Sequence, residues 1–246
     1  MRFLILGIIM VLFFSACGGP KQDPTIPGDQ VLYERAMNLY GEESYEEALT
    51  VFEQLLHEHP TSHYAANAEL RSGDCYFQRE KYVEAAETFK NFVKLHPAHV
   101  QLDYAYFKAG ESYFHLAPSA IDRDLGHAAS SLDNFSKLRE CCPQSSFLEQ
   151  AEPMARENLS KLARRILYIG DFYAKRDQPK DALNRYRQVL REYPGLGLEE
   201  ETGWKIGQCL QQLGERRELV EHVKVFSEQH PASPYRQRLE AMLGPR

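Results

Sequence analysis

Two kinds of apolar pattern divide the chain. Phe3 to Phe14 is an almost unbroken apolar run preceded by a single positive charge, Arg2. From about residue 29 onward, apolar residues recur every three or four positions, the spacing of one helical face. The stretch between, Gly18-Gly-Pro-Lys-Gln-Asp-Pro-Thr-Ile-Pro-Gly28, has no period and three prolines, and reads as a flexible tether. No strand-type alternation competes with these patterns anywhere.

The helical part repeats itself. Tyr45-Glu-Glu-Ala-Leu-Thr-Val-Phe52, Tyr82-Val-Glu-Ala-Ala-Glu-Thr-Phe89 and Pro179-Lys-Asp-Ala-Leu-Asn-Arg-Tyr186 align, and each is followed eight residues later by Pro60, Pro97 or Pro194. Twelve residues before each proline stands Ala48, Ala85 or Ala182. Twenty-four before it stands Ala36, Gly73 or Gly170, and twenty-one before it Leu39, Tyr76 or Tyr173. Pro231 repeats the offsets with Leu219, Gly207 and Leu210. Pro143 has Ser131 and Phe135 in register, but its first-helix pair, Gly110 and Tyr113, lies nine residues too far back, which predicts an insertion at about 116–126. The long Pro143–Pro194 interval predicts a helix from Ala155 to Lys175, with Leu159, Leu162, Ile166, Ile169 and Tyr173 on one face and Pro153 near its start. The rhythm resembles the tetratricopeptide repeat, a helix-turn-helix unit of about 34 residues. Small residues let the two helices approach, large ones fill the space to the next unit, and proline ends the second helix. The expected fold is all-α, a right-handed superhelical solenoid of five repeats. Residues 29–143 hold repeats one to three; residues 144–246 hold repeats four and five with the long linking helix.

The first residues add a destination. A positive start, a short apolar run and small residues describe a secretory signal over residues 1–16, because a membrane span needs roughly 20 apolar residues. Ser15-Ala16-Cys17 makes the signal a lipobox, with Phe14 where such motifs usually carry Leu. Cys17 is then the lipidation site, carrying S-diacylglycerol and N-palmitoyl chains, since one chain alone holds a membrane only marginally. No other cofactor is expected. Gly18, not Asp, follows the cysteine, and the resemblance to lipoprotein sorting rules favours the periplasmic face of the outer membrane, with residues 17–28 as the lipidated tether. The net charge of −6 argues against nucleic acid as a partner and against electrostatic docking on anionic lipid. Cys75 and Cys209 read as small buried apolar residues. Adjacent Cys141 and Cys142 would close a strained ring if joined.

First helices of such units line the inner face of a solenoid. The offsets place Tyr33, Met37 and Tyr40, then Leu70, Asp74 and Phe77, then Phe107, Glu111 and Phe114 on it, with Tyr104 one turn earlier. The corresponding residues of repeats four and five are Leu167, Asp171, Ala174, Trp204, Gln208 and Gln211. An aromatic N-terminal half suits an extended peptide with bulky side chains, whose backbone Asn67 and Gln78 could bond. No nucleophile elbow, phosphate loop or zinc-protease helix is present, so the chain reads as a non-enzyme. The run His57-Glu-His59-Pro-Thr-Ser-His63 lies at a helix end, where its histidines need not converge on a metal.

Several residue groups together resemble the BamD lipoproteins of the outer-membrane β-barrel assembly machine. They are Leu95-His-Pro-Ala-His99 with Asp103-Tyr104, Asp122-Arg123-Asp124 inside the insertion, Phe135-Ser-Lys-Leu138 before Pro143, and Asn184-Arg185 before Arg191-Glu-Tyr-Pro194. The resemblance implies C-terminal repeats docked on a POTRA domain of BamA, other assembly-complex lipoproteins as neighbours, and Arg185 pairing with an acidic residue of BamA. It implies N-terminal repeats that receive the C-terminal signal of unfolded outer-membrane proteins. The competing expectation is a lipoprotein adaptor for murein enzymes.

Overall fold

The computed structural model describes residues 27–244, so the signal segment, Cys17 and most of the tether lie outside the described residues. Eleven helices follow in order, with no strand among the described residues: α1 (Gly28–Gly41), α2 (Tyr45–Glu58), α3 (Ala65–Gln78), α4 (Tyr82–Leu95), α5 (Leu102–Leu116), α6 (Gly126–Cys141), α7 (Phe147–Lys175), α8 (Pro179–Glu192), α9 (Glu199–Leu213), α10 (Arg216–Gln229) and α11 (Arg236–Ala241). Each helix packs on the next. The pairs α1/α2 to α9/α10 are the five repeats, and short α11 closes the C-terminal end. None is long and apolar enough to cross a membrane.

The repeat punctuation has a backbone cause. Each second helix ends at a residue that precedes proline: His59, His96, Cys142, Tyr193 and His230. All five have left the α region, with ψ between 55° and 61°. A following proline makes the α conformation costly at that position, so the helix stops there. The turns within four repeats share another device. Glu43, Glu80, Asp177 and Gly214 occupy equivalent positions with φ of 60°, 58°, 59° and 73°. The next N–H then reaches back over the helix end, as from Lys81 to Tyr76 O at 2.9 Å and from Glu215 to Leu210 O at 3.0 Å. This is the left-handed helix termination for which glycine is the usual residue, yet three repeats accept an acid there.

Two helices depart from expectation. The long helix α7 begins at Phe147, eight residues before the expected Ala155, and carries Pro153 inside it. Its extra first turns are anchored by Phe147 and Ala151, which pack with Phe107, Phe135 and Leu138. That burial outweighs the hydrogen bond which proline removes. Helix α1 begins at Gly28, the last residue of the expected tether. The nine-residue insertion is the 117–125 connection between α5 and α6, held by Arg165 of α7, whose guanidinium donates to Ile121 O at 2.6 Å.

The core is a chain of clusters, as expected when each repeat buries itself only against its neighbours. Glycines set the closest approaches. A Cβ on Gly73 would lie 2.7 Å from Phe89, on Gly110 2.4 Å from Phe135, and on Gly170 2.5 Å from Tyr186. Cys75 and Cys209 are buried and free, and burial pushes their thiols up to about 12 and about 11. The sulfurs of Cys141 and Cys142 are joined, at the point where α6 ends and the chain turns toward α7.

Candidate peptide groove and docking face

The aromatic residues expected on the inner face fall into two groups. Tyr33, Tyr40, Phe77, Tyr104 and Phe114 are half-buried, with part of each ring at the surface. Leu70 and Phe107 are not: Leu70 is fully buried and Phe107 is 5% exposed. Leu70 packs with Phe89 and Phe92, and Phe107 stacks on Phe147 at 5.1 Å between ring centres. Both are therefore core residues that join adjacent repeats, and the groove assignment of these two is corrected. The reason is geometric. Their column, three residues before the small one, turns inward wherever the following repeat closes over it. In repeat one the equivalent residue, Tyr33, stays half-open because Tyr64 covers only one face, 4.7 Å away. Asn67 is half-buried on α3, one turn before Arg71, and Gln78 is exposed at the helix end.

A feature the sequence reading missed organises this face: cations sit over the rings. Arg71 lies 6.0 Å from the centre of Tyr40 and 5.8 Å from that of Tyr104. The Lys108 ammonium stands 3.2 Å above Phe77, and that of Lys161 is 5.2 Å from Phe114. Tyr40, Phe77 and Phe114, one ring from each of the first three repeats, thus carry a cation from a later first helix. Such an attraction is worth about 0.5–1 kcal/mol where solvent reaches it. Part of the signal was present in the sequence: Arg71 and Lys108 share one register, two residues before Gly73 and Gly110, whereas Lys161 stands nine residues before Gly170.

The acids of the same face are consumed internally. Asp74 is 3% exposed; it accepts from Arg71 Nη1 and from the Tyr104 hydroxyl, both at 2.5 Å. Burial pushes its carboxyl above the usual carboxylate range, against the pull of Tyr104, Arg71 and Lys108. Burial likewise raises the Tyr40 and Tyr104 phenols, so both stay protonated donors at neutral pH. Glu111 pairs with Lys108 at 2.5 Å. Asp171 plays the equivalent part in repeat four, accepting from Lys205 at 2.7 and 2.8 Å and from the Tyr186 hydroxyl at 2.8 Å. In repeat five, Trp204 stacks on Tyr235 and lies under Arg238, so the end helix covers it. Aromatic surface is left open in repeats one to three and also in repeat four, where Tyr168 and Phe172 of α7 are 51% and 43% exposed.

Arg185 stands elsewhere. It is half-buried on α8 and lines a cavity of about 380 Å³ with Tyr173, Asp181, Asn184, Arg187, Gln188 and Arg191. Arg187 is paired with Glu218 and Arg191 with Glu192. Arg185 bonds only the amide oxygen of Gln188, at 3.0 Å, and has no carboxylate partner among the described residues. A fork of five donors bound to one neutral acceptor is suited to an incoming carboxylate. Among the described residues no group of three or more His, Cys, Asp and Glu is placed to hold a metal ion.

The family described as outer membrane lipoprotein, YfiO, matches residues 27–222. The chain is similar to the TPR2AB domain of yeast Sti1, solved in complex with pHSP90, at 12% identity and a TM-score of 0.47, over 82% of this chain and 78% of that one. It is similar to a thermophilic TPR protein of Thermus thermophilus at 20% identity and a TM-score of 0.40, over 87% and 98%. It is also similar to PilW, a type IV pilus biogenesis factor, at 16% identity and a TM-score of 0.36, over 86% and 98%.

Proposed function

The chain belongs to the YfiO family of outer membrane lipoproteins, and from that premise we propose that it is the repeat scaffold of the β-barrel assembly complex. In this reading it is anchored to the periplasmic face of the outer membrane through lipid on Cys17. Repeats one to three receive the C-terminal signal of unfolded outer-membrane proteins. Repeats four and five dock on a POTRA domain of BamA through Arg185, beside the other lipoproteins of the complex.

The observation that carries the receptor role is the row of half-open rings, Tyr33, Tyr40, Phe77 and Phe114, with cations set over three of them. Rings offer flat apolar contact to bulky side chains at little entropic cost. Arg71, Lys108 and Lys161 each already hold a carboxylate, Asp74, Glu111 and Glu157, so the rings and not the cations offer the free contact. The docking role is supported by Arg185, the arginine of its cavity without a carboxylate partner.

The test is anisotropy with a labelled synthetic peptide copied from the C-terminus of a barrel protein. Tyr40→Ala and Phe77→Ala are expected to weaken binding about tenfold or more each while leaving the helical circular dichroism unchanged. Unchanged affinity would sink the receptor role, and lost helicity would show the rings to be core. Arg185→Glu is expected to abolish capture of BamA and leave peptide binding intact.

A further inference from the structure

Successive helices of the solenoid run in opposite directions, so the turns between repeats lie side by side along one edge. Hydrogen bonds show this directly. Ser62 of the first such turn donates to Asp29 at the start of α1, at 2.7 Å, and Ser145 of the third donates to Asp103 at the start of α5, at 2.8 Å. The chain enters the fold on this same edge, at Pro27.

Two of the large apolar side chains that the fold leaves in water stand on that edge. Val100 is 89% exposed and Leu95 62%, the two highest values among the large apolar residues described. Between them, Pro97 and Ala98 are exposed or partly so. Pro97 to Val100, with Cys141 and Pro143 of the next turn, border an open depression of about 580 Å³. No contact of the groove or of the Arg185 face uses these residues.

We propose that this edge is a membrane-contact surface, with Val100 and Leu95 entering the headgroup region of the bilayer that holds the lipid anchor. The occupant follows from where the tether arrives. Nine residues lie between Cys17 and Pro27, and a fully extended chain spans at most about 3.3–3.6 Å per residue, so Pro27 stays within about 35 Å of the anchored lipid. A short tether raises the local concentration of the surface it carries to the millimolar order. At that concentration two exposed aliphatic side chains meet lipid continually, and their transfer out of water is favourable. The inference rests on the reading of Cys17 as the lipid-bearing residue.

The experiment uses the full mature lipoprotein in phosphatidylethanolamine/phosphatidylglycerol vesicles containing brominated phospholipid. Tryptophan is introduced by Val100→Trp and, in a second protein, by Val83→Trp, which lies 55% exposed at the start of α4 on the opposite edge. The parent signal of Trp204 is subtracted. Both proteins are expected to float with the vesicles, with emission at position 100 quenched at least twofold more than at position 83. Flotation with neither position quenched, or with both quenched alike, overturns the membrane-facing edge and leaves the anchor standing. Failure of both proteins to float overturns the anchor, and this inference with it.

Discussion

Gly110→Ala is the substitution that tests the helix packing most sharply. In a helix the change is ordinarily favourable by about 1 kcal/mol, because alanine has the better intrinsic propensity. Here the added Cβ would lie 2.4, 2.7 and 3.0 Å from three carbons of the Phe135 ring. That ring is 5% exposed and packs with Phe107 and Leu138, so it has nowhere to turn. Nor can the helices part freely, since the buried Ser131 hydroxyl of α6 donates to Gly110 O of α5 at 2.8 Å. Overpacking of this kind costs about 1–3 kcal/mol. Set against the propensity gain, the variant is expected to be up to about 2 kcal/mol less stable than the parent. A chain of 150–250 residues shifts by about 2–4 °C per kcal/mol, so Tm is expected to fall by several degrees in a melt followed at 222 nm. Gly41→Ala is the control: nothing lies within 4 Å of its Cβ, and the same change there is expected to raise Tm slightly. Phe135→Leu in the Gly110→Ala background is expected to recover part of the loss. A Gly110→Ala protein that melts above the parent would refute the close approach of α5 and α6.

Further outcomes follow from individual positions. Glu80 sits at φ 58°, a left-handed conformation that costs an ordinary residue about 1–2 kcal/mol. Glu80→Gly is expected to stabilise by about 0.5–1 kcal/mol in urea titration, because glycine's greater freedom in the unfolded chain offsets part of the relief. His222 is half-buried, facing Gly203 O at 2.7 Å, and burial holds its pKa below the usual 6.5. The unfolded chain therefore takes up a proton at a higher pH than the folded one, and stability is lost as pH falls below 6.5 toward the folded value. His222→Gln is expected to shrink the Tm difference between pH 7.5 and 5.5, and an unchanged difference would assign the acid sensitivity to other groups.

Much of the architecture was legible because proline spacing and small-residue offsets are local. Five repeats, the insertion at 117–125 and a long helix ending at Lys175 all follow from them. What escaped were properties of neighbours. Pro153 reads as a helix start, and only the burial of Phe147 and Ala151 against repeat three shows why the helix begins earlier. Leu70 and Phe107 share a register with Tyr33, and register alone does not tell which side chain the next repeat will cover. Asp74 was placed on the inner face but not with its partners, since Tyr104 lies thirty residues away. The cations over Tyr40, Phe77 and Phe114 come from later helices and have no local signature beyond the register that Arg71 and Lys108 share. The end helix α11 follows the last repeat's proline and has no second helix to mark it by repetition.

The central claim, a receptor groove in repeats one to three and a docking face on α8, is tested most directly by photo-cross-linking in intact cells. A benzophenone amino acid is placed at Phe77 in one strain and at Arg185 in another, and the adducts are identified by mass spectrometry. The account predicts C-terminal segments of unfolded barrel proteins at position 77 and a POTRA domain of BamA at position 185. Murein enzymes at both positions, with no barrel protein at either, would contradict it.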